Sequence, residues 1–144
     1  MEYSVGKIGR AFLLKFAQDE DFLNEIEGLC KKESVQCAIF YIIGGINSAD
    51  IVSGPALETL PPLPILRSID KKSEVLGIGT IAPVDGEPKI HLHAAVSKGD
   101  AIKMGCIRSN TKTFLISEVV MLELDGIDAK RVHDPESGFN LLSI

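Results

Sequence analysis

One dipeptide, Asp85-Gly86, constrains this chain more than any other pair of residues. Both residues tolerate the positive φ of a two-residue hairpin turn. A β-rich run flanks each side, Glu74 to Ala82 and Lys89 to Ser97, so the middle of the chain is committed to antiparallel sheet. Other segments join it. Ala11 to Phe16 alternates at period two, and Gln36 to Ile43 is a continuous apolar run suited to a strand buried on both faces, stopped by Gly44-Gly45. Ala49 to Ser53 reads as a short strand pairing back. Ala101 to Cys106 reads as another after the Lys98-Gly99-Asp100 turn, and Thr113 to Leu124 as a long one. Phe139 to Ser143 reads as an edge strand behind the Asp134-to-Gly138 turn. Pro55 to Pro64 has too many prolines for helix or central strand. It reads as a stiff surface loop, with a polyproline ligand for another protein as the alternative.

Only one segment has a helical period. Gln18-Asp19-Glu20-Asp21 is an acidic start that favours the positive end of a helix dipole. Phe22, Leu23, Ile26, Leu29 and Cys30 follow as one apolar stripe, with Glu25, Glu27, Lys31 and Lys32 opposite. The expected architecture is therefore α+β: one domain over residues 1–144, mainly antiparallel sheet, with one main helix (Asp19–Lys32) and short flanking helices or loops.

The 144 residues suit a single domain, and 45% hydrophobic side chains exclude a disordered chain. Twenty acidic residues outnumber fifteen basic ones, leaving a net charge of −5. The cations come as scattered pairs (Lys31-Lys32, Lys71-Lys72, Lys130-Arg131) rather than one patch. That argues against direct DNA binding, which needs cations gathered against phosphates. The longest apolar run, Cys37 to Ile43, is too short to span a bilayer, which takes about 20 residues. Three widely spaced cysteines make no disulfide framework. The opening MEYSVGKIGRAF lacks the layout of a signal peptide. A reduced, cytoplasmic protein is expected.

The chemistry concentrates in His91-Leu92-His93. On a strand, residues i and i+2 point to one face, so both imidazoles can converge on one metal ion. Cys106, on the next expected strand, is the nearby residue able to act as a third ligand. Two His and one Cys with an open fourth position match an open zinc site. An HxH pair is equally what two half-buried polar side chains look like, and cysteine is often simply a small buried hydrophobe. A Cys106–His91 nucleophile–base pair lacks an evident orienting group. Gly77-Ile78-Gly79 and Gly44-Gly45 lack the strand–glycine–helix setting of a phosphate loop. His133 reads as solvated. Arg10 and Glu118 are charges in or beside apolar strands and need partners; a place behind one imidazole is the candidate role for Glu118.

Taken in order, these motifs resemble a known family. Val75-Leu76-Gly77-Ile78-Gly79-Thr80-Ile81-Ala82, Asp85-Gly86-Glu87-Pro88, His91-Leu92-His93, Gly105-Cys106-Ile107 and Glu118-Val119 are similar to the plants-and-prokaryotes-conserved (PPC) domain. Arg10, the acidic stretch Asp19–Asp21 and Gly44-Gly45 fit its N-terminal half, so the likeness runs from about Ile8 to Leu124. The resemblance implies an antiparallel sheet with flanking helices, assembled as a homotrimer. It also implies a three-histidine set at His91, His93 and the position of Cys106. The family's Gly-Gly-His-Leu reads Met104-Gly105-Cys106-Ile107 here, and cysteine also ligates zinc. Plant members contact DNA through an Arg-Gly-Arg-Pro AT-hook, which this sequence lacks. The leading expectation is a non-enzymatic, homotrimeric binding or regulatory module for a protein partner or small ligand, with no direct DNA contact and no membrane. The alternative is a small metal-dependent enzyme whose His91/His93/Cys106 site activates water.

Overall fold

In a computed structural model the chain is described at residues 1–57 and 59–144. The elements run β1 (Lys7–Ala17), α1 (Phe22–Glu33), β2 (Ala38–Leu57), β3 (Leu63–Ile69), β4 (Ser73–Val84), β5 (Glu87–Lys98), β6 (Ala101–Asp125), β7 (Lys130–Asp134) and β8 (Phe139–Ser143). The α+β expectation holds. All strand pairings are antiparallel, and α1 is the one helix among the described residues.

The central hairpin forms through Asp85 (φ 50°) and Gly86 (φ 83°), both in the left-handed region that the tight turn requires. Its strands extend beyond the expected ends, with Val84 facing Glu87. The large sheet runs β1-β6-β5-β4-β2-β3, and a further β6–β2 pairing closes β2, β4, β5 and β6 into a ring. Two long strands make this possible, each spanning two segments that the sequence predicts as separate strands. Gly44-Gly45 does not end β2. Gly44 takes φ 125°, and a Cβ on Gly45 would stand 2.3 Å from the Phe114 carbonyl oxygen. The glycines let β2 bend closely over β6 and continue. Ala49 to Ser53 therefore belongs to the same strand and pairs with β3 and β6 rather than back on itself. Likewise β6 runs unbroken, through Asn110 (φ 60°) and Leu115 (φ 58°).

The proline segment is a second correction. Pro55 faces Pro64 and Leu57 faces Leu63, so most of the expected loop is the tip of the β2–β3 arm; its Glu58 lies outside the described residues. The tail forms the expected strand: Phe139–Ser143 pairs with β7 in a separate two-stranded sheet.

The helix begins at Phe22 rather than Asp19, because Asp19 takes φ 67° and turns the chain. Asp21 caps it, accepting from the Asn24 backbone N–H at 3.4 Å. It ends at Ser34 (φ 58°), where the Val35 N–H donates to the Cys30 carbonyl at 2.9 Å. Phe22, Ile26 and Cys30 pack fully buried against Phe40, Ile42, Leu92 and Met121 on the inner face of the sheet. Arg10 finds its partners here. Its Nε donates to Glu123 at 2.7 Å, and a terminal nitrogen donates to the Glu33 carbonyl at 2.8 Å. It thus ties β1 to the negative end of the helix.

Candidate metal centre

Along β5 the core takes Leu92, Ala94 and Val96, so alternation sends His91, His93 and Ala95 to the outer face. Register then brings in the third residue. The hairpin places His93 opposite Ile78 and His91 opposite Thr80, while the next ladder places Cys106 opposite His93. One ligand atom from each of His91, His93 and Cys106 lies within 4.8 Å of the other two. The imidazole centroids are 5.0 Å apart with rings at 82°. The residues expected to converge do so within a single chain.

The backbone enforces the sulfur's position. A Cβ on Gly105 would lie 2.1 Å from the Val52 carbonyl oxygen. Only a glycine lets β6 press so closely on β2 where Cys106 is carried. Cys106 is buried, whereas both histidines are exposed, leaving the site open on its imidazole side. Burial pushes the Cys106 thiol upward, and the positive fields of Arg108 and Arg131 oppose that. His91 is held below its ordinary value by desolvation, then by Arg131, His93 and Arg108. That shift favours the neutral imidazole, whose lone pair can ligate a metal. The other cysteines differ: Cys30 is pushed up to about 11, mainly by burial in the core, and Cys37 is buried against the Ala129 carbonyl.

This donor set suits a transition metal. Two neutral imidazole nitrogens and one thiolate are the ligand types of zinc sites, and three protein donors leave a fourth position open. The donors need only close from within 4.8 Å to the roughly 3–4 Å separation that zinc bond lengths imply.

Glu118 does not stand behind either imidazole. The cross-strand row Glu118, Ile43, Leu76, Ala95 sets it three strands from β5, about 14 Å at the usual strand spacing. No hydrogen bond among the described residues holds either histidine ring. Two neighbours escaped the sequence reading. Arg108 lies two residues beyond Cys106. Arg131, on the unforeseen β7, donates to the Thr80 hydroxyl at 3.0 Å, across the hairpin from His91. The only sequence signal for Arg131 was the Lys130-Arg131 pair.

Solved structures share this fold. The metal-containing protein of Archaeoglobus fulgidus is 21% identical over 100% of both chains, with a TM-score of 0.88. A plant- and prokaryote-conserved protein of Pyrococcus horikoshii is 23% identical over 100% of this chain and 98% of its own, with a TM-score of 0.85. A candidate DNA-binding protein of Bacteroides thetaiotaomicron is 19% identical over 98% and 96%, with a TM-score of 0.80. No curated protein sequence matches. The Plants and Prokaryotes Conserved (PCC) domain matches residues 3–125, which is most of the chain, and the protein belongs to that family.

Proposed function

We propose that this protein is a non-enzymatic, homotrimeric binding module that holds a zinc ion through His91, His93 and Cys106. The convergence of those three donors within 4.8 Å carries the metal reading. The metal content named for the Archaeoglobus relative supports it. Cobalt substitution tests it: Co²⁺ added to metal-free protein is expected to give a near-ultraviolet thiolate-to-cobalt band. Cys106→Ser is expected to abolish that band, and His93→Ala to weaken binding about 10–100-fold or more. Cobalt uptake with no thiolate band would contradict the assignment.

The assembly reading rests on the sheet's outer face. Leu13, Val120, Tyr41 and Ile78 form one cross-strand row that continues to His93; all four hydrophobics are exposed in the single chain. Beside it Ile43 and Leu76 are exposed as well. An exposed apolar row of this kind supports an interface at this face, and the threefold count follows from the family resemblance. Because that row runs on through His93 to Cys106, the metal centre would border the subunit contact.

A second reading has one observation in its favour, the open imidazole side of the site. A zinc ion with three protein ligands lowers the pKa of bound water, so a metal-dependent enzyme is the alternative. Turnover of a hydrolysable ester lost in Cys106→Ser would favour it.

DNA is not the expected partner. The chain carries a net −5 charge, and binding to random duplex at physiological salt is expected to be weaker than about 10⁻⁴ M. A mobility shift at micromolar protein would overturn this.

A further inference from the structure

Between β5 and the β7–β8 hairpin lies a cleft of about 670 Å³, within the range of about 300–1,000 Å³ usual for small-molecule sites. Phe139, Leu141 and Leu142 give it an apolar wall, while Lys89, Arg108 and Arg131 supply positive charge. No aspartate or glutamate lines it among the described residues. In a chain with twenty acidic residues, that segregation is a distinct feature of this place.

The three cations are not equivalent. Lys89 is engaged by Glu27 at 2.9 Å. Arg108 and Arg131 form no ion pair among the described residues. Arg131 donates to Thr80 at 3.0 Å, but its Nε–H is buried with no acceptor. A buried guanidinium donor left unmatched is costly. The planar fork of arginine is matched best by the paired oxygens of a carboxylate or phosphate. The family match ends at residue 125, so Arg131 and the β8 wall lie beyond the segment that defines the family.

We propose that this cleft binds a small organic anion, a carboxylate or phosphate carried on an apolar body. Arg131 and Arg108 hold the anionic group, and Phe139, Leu141 and Leu142 cover the body. The proposal rests on the binding-module reading and names its ligand class; it does not depend on a metal at Cys106, although His91 borders both places.

Calorimetry with octanoate, hexyl phosphate and the neutral 1-octanol tests it on metal-free protein. Both anions are expected to bind, with 1-octanol weaker by about tenfold or more. Arg108→Gln and Arg131→Gln are each expected to weaken the anions by about tenfold or more, with Arg131→Lys recovering part of the loss. Arg108 is exposed, so its substitution leaves the fold intact even if changes at Arg131 loosen the hairpin. Equal binding of 1-octanol, or octanoate binding unchanged in Arg108→Gln and Arg131→Gln, would overturn the proposal. Cys106 does not line the cleft, so Cys106→Ser separates the two readings: octanoate binding that persists in it supports the anion site even where the metal reading fails. Binding that appears only after metal loading and survives both arginine substitutions assigns the anion to the ion and overturns the proposal.

Discussion

Phe40→Ala is expected to destabilise the protein by about 3–5 kcal/mol, the usual cost of deleting a buried aromatic ring. Phe40 is fully buried in the core cluster that the buried face of α1 also joins. Its ring fills the space over Gly79, where an added Cβ would come within 2.2 Å of it. The glycine therefore cannot help refill the void, and the surrounding sheet is held by pairing on both sides of β2. Urea denaturation of wild type and variant at one protomer concentration measures the difference, since subunit association shifts apparent stability. A change below about 1 kcal/mol would mean that the core relaxes around the cavity, contrary to the packing described.

The double substitution Ile43→Lys/Leu76→Lys is expected to convert the protein from trimer to monomer. In the single chain both side chains are exposed and stand opposite one another on β2 and β4. Lysine there costs the protomer little. In a trimer the same positions would bring up to six like charges into the contact; Glu118 stands opposite residue 43 and can pair with three of them, and burying the three left unpaired at residue 76 is prohibitive. Light scattering is expected to give about 47 kDa for wild type, three chains of 15.6 kDa, and one chain's mass for the variant. A monomeric wild type, or a variant that still scatters as a trimer, would contradict the assembly.

Local signals in the sequence were enough for the site's inner geometry. Asp85-Gly86 determined a two-residue turn, the turn determined the β4–β5 register, and period two put His91 and His93 on one side. Cys106 needed only the next hairpin, at Lys98-Gly99-Asp100. What escaped was non-local. Gly44-Gly45 has the composition of a stop, and only the close passage of β6 turns it into a bend within one strand. Asn110 and Leu115 bend β6 in the same way, so one strand looked like two. The prolines at 55 and 64 look like a loop until they are seen facing each other at the end of an arm. Lys130–Asp134 has no apolar alternation, and nothing local shows that its Arg131 reaches Thr80 on β4. The charged cleft beside His91 was therefore invisible in the sequence. Glu118 was misplaced for a related reason: its apolar neighbours suggested a buried charge, whereas it stands exposed on the outer face of the sheet, opposite Lys15.

The metal content of the protein, purified without a histidine tag and measured by elemental mass spectrometry beside Cys106→Ser and His93→Ala, tests the central claim most directly. The expected result is about one zinc per chain in wild type, a single three-donor site being the arrangement proposed, with little or none in either variant at equal folded concentration. Wild-type protein that carries no transition metal, and takes up none on dialysis against zinc, would contradict it.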